Sequence, residues 1–94
     1  MVLALAIVHH LRITGNAPLD LIAEFFSHLG NHLILEYVPK SDVMAQALLR
    51  SRKDTFFDYT DEGFHKAFER YFTIEETLPL EETPRSIYVM KTRQ

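Results

Sequence analysis

The first eight residues carry no polar side chain. Met1 to Val8 reads MVLALAIV and leads directly into His9-His10-Leu11-Arg12. A strand that is apolar on both faces is typical of the covered interior of an α/β sheet. The sequence offers no earlier strand to pair with it on one side, which leaves an apolar edge open to pairing. We therefore predict that Val2–Val8 forms a strand of interior character at the edge of a sheet.

Size and composition restrict the class of protein. Ninety-four residues suffice for one hydrophobic core, and we treat residues 1–94 as a single partial domain. The chain has 10 basic and 13 acidic residues, and the scattered basic residues give no electrostatic footprint for nucleic acid. The absence of cysteine excludes a disulfide framework. The apolar start lacks a basic flank and is too short to span a bilayer, so we expect a cytoplasmic protein without a membrane partner.

The next segments predict a helix followed by a second strand. Gly15-Asn16-Ala17-Pro18 has turn composition, with Asn16 as a candidate helix cap. Apolar residues then recur at helical spacing up to Gly30, which is expected to end the helix. They are Leu19, Ile22, Phe25, Phe26 and Leu29. Residues 32–38 form a branched and aromatic run that ends at Pro39, as buried strands often do.

The second half predicts two helices and a hairpin. Ser41 or Asp42 can cap a helix with Val43, Met44, Ala47 and Leu48 as its apolar positions. Thr60 can cap another helix, which carries an aromatic stripe of Phe64, Phe68, Tyr71 and Phe72. Residues 73–78 and 86–91 then read as the two strands of a closing hairpin. The predicted order of elements is βαβααββ.

Three successive segments resemble a known family. Leu5-Ala6-Ile7-Val8-His9-His10-Leu11, the helix ending in Leu29-Gly30, and Leu33-Ile34-Leu35-Glu36-Tyr37-Val38-Pro39 resemble the C-terminal half of a class I S-adenosylmethionine-dependent methyltransferase. The resemblance implies a Rossmann-like three-layer α/β sandwich. Its four-stranded mixed sheet would have the order 1-2-4-3, with strand 4 antiparallel to the others. It further implies methyl transfer from S-adenosylmethionine to a small-molecule acceptor, with sulfonium and acceptor held in line.

The resemblance stops short of the cofactor-binding half of that family. Gly15, Gly30 and Gly63 are the three glycines, and none forms a G-x-G cluster between a strand and a helix. We therefore expect the chain alone to bind S-adenosylmethionine poorly and to be inactive without its missing N-terminal half. The apolar segment Val2–Val8 would pair with a chain that supplies this half, or with a second copy in a homodimer or strand-swapped oligomer. The alternative function is a non-enzymatic α/β interaction module that homodimerises through this strand.

Candidate site residues lie at the ends of the first two predicted strands. The resemblance implies that the end of the first strand approaches the cofactor and the acceptor, with Ala6 and His9 contacting the cofactor in a complete domain. His9 or His10 would then act as a base, and Glu36 would face the acceptor pocket. The structural alternative sends one histidine into the helix layer and the other to solvent. In the same reading Glu36 pairs with Lys40 or Arg12, and Asp42 is a helix cap.

Two further patterns are weaker. His28 and His32 have a spacing seen in metal ligands, but they straddle Gly30 and no His-Glu-x-x-His helix is present, so we expect no metal. Phe56-Phe57-Asp58-Tyr59 is aromatic enough to roof a ligand pocket or to cover a core. We favour the core.

Overall fold

The computed structural model describes residues 1–5, 7–50 and 56–93, and these ranges contain four strands and three α-helices. The strands are β1 (Val2–Ala4), β2 (His32–Tyr37), β3 (Phe72–Pro79) and β4 (Ser86–Thr92). The α-helices are α1 (Leu19–Ser27), α2 (Val43–Leu49) and α3 (Asp61–Phe68). A π-helical turn, His10–Thr14, lies between β1 and α1.

The strands form one mixed sheet in the order β1-β2-β4-β3. β1 pairs parallel with β2, and β4 runs antiparallel to both β2 and β3. Three strands therefore share one direction and β4 opposes them. The predicted strand order and the antiparallel last strand are confirmed.

The core lies on one face of this sheet. Every second residue of β2, namely Leu33, Leu35 and Tyr37, is buried on that face. The Phe64 ring of α3 contacts both the Tyr37 ring, at 4.7 Å between centroids, and the Tyr88 ring, at 4.9 Å. Burying aromatic rings of this size contributes much of the free energy that drives a small domain to fold.

The three-layer arrangement expected from the resemblance is not what the described residues form. α1 packs beside α3, and both contribute to the core on the same sheet face. α2 packs beside the π-helical turn, with Leu48 and Leu49 against the same core. The opposite face carries Leu3, Ile34 and Val89, none of which belongs to this core. The described part of the chain is thus a two-layer unit in which no described helix covers the second face of the sheet.

The predicted first strand is shorter than expected. β1 ends at Ala4, and Val8 and His9 already have helical backbone, so residues 2–8 are not one continuous strand. Ala4 and Val8 are buried, whereas Leu3, Leu5 and Ile7 are 61%, 51% and 40% exposed. The segment is apolar on both faces but is buried on one face only, because no described element covers the face that carries Leu3.

The three predicted helices are present, but the last is shorter than expected: α3 ends at Phe68, and Phe72, predicted on its aromatic stripe, begins β3. The Asp42 and Thr60 side chains cap α2 and α3 by accepting from the backbone N–H groups of Met44 and Gly63. Asn16 is not a cap; it has a left-handed backbone, with φ of 53°, and its side chain accepts from Arg12. Side chains expected on buried stripes are instead exposed at five positions, which are Phe25, Leu29, Val43, Met44 and Ala47.

Gly63 allows the loop before α3 to approach the helix closely. A Cβ at this position would lie 1.9 Å from the backbone oxygen of Asp58 and 3.2 Å from Thr60 Oγ1. No side chain fits there without a shift of the backbone. Gly63 therefore holds the aromatic segment 56–59 against the start of α3.

We expect Gly63→Ala to lower the free energy of unfolding by roughly 2 kcal/mol, because the backbone must move to admit the methyl group. In an unconstrained helix the same change raises stability by up to ~1 kcal/mol. Gly30→Ala is the matched control, since its Cβ would meet the nearest atom, Val2 Cγ2, at an ordinary 3.4 Å. Urea unfolding of both variants provides the measurement. Equal effects of the two substitutions would contradict the role assigned to Gly63.

Candidate functional site

Four polar side chains converge where β1 and β2 reach their carboxyl ends. His9 precedes the π-helical turn, Glu36 lies near the end of β2, and Asp42 caps α2. Arg85 precedes β4, and because β4 is antiparallel to β2, its beginning meets the end of β2. The carboxyl edge of parallel strands is where open α/β sheets bind ligands. We call His9, Glu36, Asp42 and Arg85 the carboxyl-edge cluster.

Arg85 holds the two carboxylates of the cluster together. Its Nε donates to Asp42 Oδ2 at 2.9 Å and its Nη2 to Asp42 Oδ1 at 3.0 Å, which is a bidentate pair. Its Nη1 lies 3.6 Å from Glu36 Oε2. The hydrogen bonds from Arg85 are the main reason that the pKa of Asp42 is lowered, and burial opposes them. Arg85 is thus engaged by two carboxylates and is not available as a separate anion-binding group.

His9 is the buried histidine of the pair. His9 is 1% exposed, and no described residue forms a hydrogen bond with its Nδ1 atom. Burial is the main cause that lowers the pKa of His9 from 6.5 to about 4, and the charges of His10 and Arg85 act in the same direction. The imidazole is therefore neutral at neutral pH. A neutral ring can orient a hydrogen-bonding group, but with this pKa it is a weak base.

His10 lies beside His9 and faces outward. The two ring centroids are 4.3 Å apart, and His10 is exposed. One histidine is thus buried and the other exposed, as the structural alternative expected, but a helical turn rather than strand alternation separates them. Ala6, the other predicted cofactor contact, lies outside the described residues.

The structural roles predicted for Glu36 and Asp42 are confirmed for Asp42 and are only partly correct for Glu36. Asp42 caps α2, as predicted, and Glu36 is paired, but with Arg85 rather than with Lys40 or Arg12. Arg85 was not among the site residues predicted from the sequence. One feature of the sequence indicates it: Arg85 is the single basic residue between the hairpin turn and the last strand. Because that strand runs antiparallel to β2, its first residues lie at the carboxyl end of β2.

A second set of contacts fixes the loop before α3 next to this cluster. Arg12 donates to both carboxylate oxygens of Asp58 from Nε, at 2.9 and 3.2 Å, and its guanidinium lies over the Phe56 ring at 4.7 Å. The Tyr59 hydroxyl donates to the backbone oxygen of Val38, and burial raises the pKa of this hydroxyl. Phe56 and Tyr59 are buried in the core and Phe57 is 80% exposed. This loop covers the core, as favoured.

Within residues 1–5, 7–50 and 56–93, no group of three or more histidine and carboxylate side chains is placed to hold a metal ion. In the same ranges, no helix has both the length and the apolar character needed to cross a bilayer.

Comparison with known proteins gives one partial relative. No family model and no solved structure matches the chain. Over 90 residues, which is 96% of this chain, the sequence is 32% identical to "Nodulation protein NoeA" of Rhizobium meliloti (strain 1021). The chain spans 19% of the length of that protein. The similarity therefore relates this chain to a segment of a much longer protein.

Acidification should destabilise the fold through His9. Because the pKa of His9 is lowered in the folded state, the unfolded chain takes up the proton first as the pH falls. The stability that comes from a neutral His9 is present above about pH 6.5 and is lost progressively towards pH 4, by at most roughly 3 kcal/mol. We expect His9→Phe to flatten this part of the stability profile in urea unfolding. The exposed His28, changed to Gln, should leave the profile unaltered, and an equally steep profile in His9→Phe would contradict the assignment.

Removing Arg85 should cost more than removing an exposed arginine. Arg85→Met leaves the buried Asp42 carboxylate unpaired, and we expect a loss of roughly 2–4 kcal/mol in the free energy of unfolding. Arg70→Met is the control, since Arg70 and its partner Asp20 are both more than half exposed and the pair contributes less than ~1 kcal/mol. Adding Asp42→Asn to Arg85→Met should recover part of the loss, because asparagine still caps α2 without a charge. Equal losses for the two arginine variants would contradict this account.

Proposed function

We propose that this chain supplies the acceptor-side part of an S-adenosylmethionine-dependent methyltransferase domain that acts on a small molecule. The observation that carries the proposal is the sheet order β1-β2-β4-β3 with an antiparallel β4, which is the order implied by the resemblance. The polar cluster at the carboxyl edge of the same sheet supports it, because ligands of open α/β sheets bind at that edge.

In this proposal the two histidines have different roles. His10 is exposed at the carboxyl edge and takes the proton from the hydroxyl or amine of the acceptor as that group becomes a nucleophile. His9 is a positioning residue, since its buried ring contacts the His10 ring and sets the orientation of that ring. Glu36, whose side chain is 12% exposed, can accept a hydrogen bond from the acceptor while it remains paired with Arg85.

The described residues do not form a complete cofactor site. A site for S-adenosylmethionine needs glycines at which the backbone can approach the ligand. Two of the three glycines instead lie tightly against their own chain: Gly15 against the Leu11 carbonyl and Gly63 against the Asp58 carbonyl. Gly30 lies beside Val2. In this proposal, the glycine-rich residues that bind the cofactor belong to another segment of polypeptide. The chain alone is then catalytically incompetent.

Binding of S-adenosylmethionine tests the proposal in three proteins. We expect isothermal titration to give no binding at micromolar concentration for the 94-residue chain. The full-length NoeA protein, and a chimera in which this chain replaces its matching 90 residues, should both bind in the micromolar range. His10→Gln in the chimera should leave this affinity unchanged, because His10 is assigned to the acceptor.

Each result bears on a separate part of the proposal. Absence of binding by full-length NoeA would contradict the methyltransferase assignment, and this measurement does not depend on whether the chimera folds. Micromolar binding by the isolated chain would contradict its incompetence. Far-UV circular dichroism of the chimera establishes that it is folded before titration.

A second candidate function belongs to another class. The chain would then be a non-enzymatic interaction module that homodimerises through its first strand. The exposure of Leu3, Leu5 and Ile7, beside a strand edge with which no described strand pairs, favours it. Full-length NoeA and the chimera would then not bind S-adenosylmethionine, which distinguishes the two candidates.

A further inference from the structure

The charges of the carboxyl-edge cluster do not balance. Glu36 and Asp42 each carry a negative charge, and Arg85 carries the positive charge that faces them. The fourth member, His9, is neutral at neutral pH because its ring is buried. With two negative charges against one positive charge, the cluster has one negative charge in excess.

The excess charge lies on Glu36. Both oxygens of Asp42 accept hydrogen bonds from Arg85, at 2.9 and 3.0 Å, so this carboxylate is paired in the bidentate geometry. The remaining guanidinium nitrogen, Nη1, lies 3.6 Å from Glu36 Oε2, which is longer than a hydrogen bond. Arg85 therefore neutralises Asp42 and attracts Glu36 from a greater distance.

The surroundings of Glu36 are apolar and leave it little contact with water. Its side chain is 12% exposed. On the same face of the sheet, Ile34 precedes it by two residues on β2, and Ile87 lies opposite it on β4. Both isoleucines are half-buried. A carboxylate that has lost most of its water, and whose cation is distant, is stabilised by a further positive charge.

His9 independently indicates that a group is missing from the cluster. It is 1% exposed, and no described residue forms a hydrogen bond with its Nδ1 atom. The charges of Arg85 and Asp42 act on this ring, so it lies beside the ion pair next to Glu36. Buried polar atoms without a partner are rare. One that lies at a ligand-binding edge indicates a hydrogen-bonding group that the described residues do not provide.

An ammonium group has both properties that the described cluster lacks. It carries one positive charge, and it has up to three N–H donors. A carboxylate accepts hydrogen bonds from such donors, and so does Nδ1 of His9 in the tautomer that carries its hydrogen on Nε2. An anion is disfavoured there, because the excess charge is negative and the Arg85 guanidinium is already bound to Asp42.

We propose that the carboxyl-edge cluster binds a small aliphatic amine in its protonated form, with the ammonium group at Glu36 and the carbon chain against Ile34 and Ile87. The inference rests on the proposed function where it identifies this amine as the methyl acceptor. The acceptor is then an amine rather than a hydroxyl compound. Binding of the ammonium ion itself depends on the charges and the burial, so it is measured without the cofactor.

Titration of the 94-residue chain with three probes of equal carbon number tests the proposal. The probes n-butylammonium, n-butanol and butyrate differ in the charge of one end. Near neutral pH, we expect n-butylammonium to shift the backbone NMR signals of Glu36 and Ile87, with a Kd of roughly 1–10 mM. The neutral and anionic probes should bind at least about tenfold more weakly, because neither supplies a positive charge to Glu36.

Two glutamine variants locate the binding. Glu36→Gln keeps the shape of the side chain without its charge, and it should weaken n-butylammonium binding about tenfold. Glu76→Gln is the matched control, because Glu76 lies on the same sheet face, opposite Val89, but is exposed. Both variants change the net charge of the chain equally, so a difference between them excludes general electrostatic attraction. The comparison of probes uses the unaltered chain and does not depend on the folding of either variant.

Three results would overturn the proposal: no binding of n-butylammonium below about 100 mM, equal binding of the three probes, or equal effects of the two glutamine variants. Failure of these measurements would leave the methyltransferase proposal with a hydroxyl acceptor. Failure of the S-adenosylmethionine titration in full-length NoeA would instead leave the ammonium site in place. The two failures are therefore distinguishable.

Discussion

The one-sided burial of β2 determines most of the structure. Its alternate residues Leu33, Leu35 and Tyr37 are buried, and the rings of α3 pack on the same face. Because successive residues of a strand point to opposite faces, this choice sends Ile34 and Glu36 to the other side. β4 follows the same register, with Met90 and Tyr88 opposite Leu33 and Leu35. Both the core and the open face result from this single alternation.

Local sequence signals predicted the elements well. The hairpin, the second strand and the caps Asp42 and Thr60 were correct because each depends on neighbours within a few residues. The long first strand was wrong, because apolar composition alone does not say where an extended segment turns helical. The exposure of Phe25 was also missed, because a helical stripe shows which residues share a flank and not whether anything covers it.

Only the part of the candidate site that lies at the ends of the parallel strands β1 and β2 could be predicted from the sequence. Residues at the ends of β1 and β2 were expected at one edge, and the structure places His9, His10 and Glu36 there. Arg85 enters from 43 residues beyond Asp42, through a strand that runs the opposite way. No local pattern encodes such a contact, because it depends on the register of the whole sheet. The burial of His9 likewise depends on the way α2 packs beside the π-helical turn.

The π-helical turn of residues 10–14 contains a hydrogen bond from the Gly15 N–H to the His10 carbonyl, five residues back. A turn of this kind holds one residue more than an α-helical turn. It follows an α-helical turn, in which the Leu11 N–H donates to the Ile7 carbonyl, and the extra residue offsets the side chains before and after it by about 100°. That extra residue keeps His9 inside while Arg12 reaches Asp58. A sequence one residue shorter in this segment would turn His9 by about 100° relative to Arg12, so that a buried imidazole and the Arg12–Asp58 pair would no longer be compatible with one backbone.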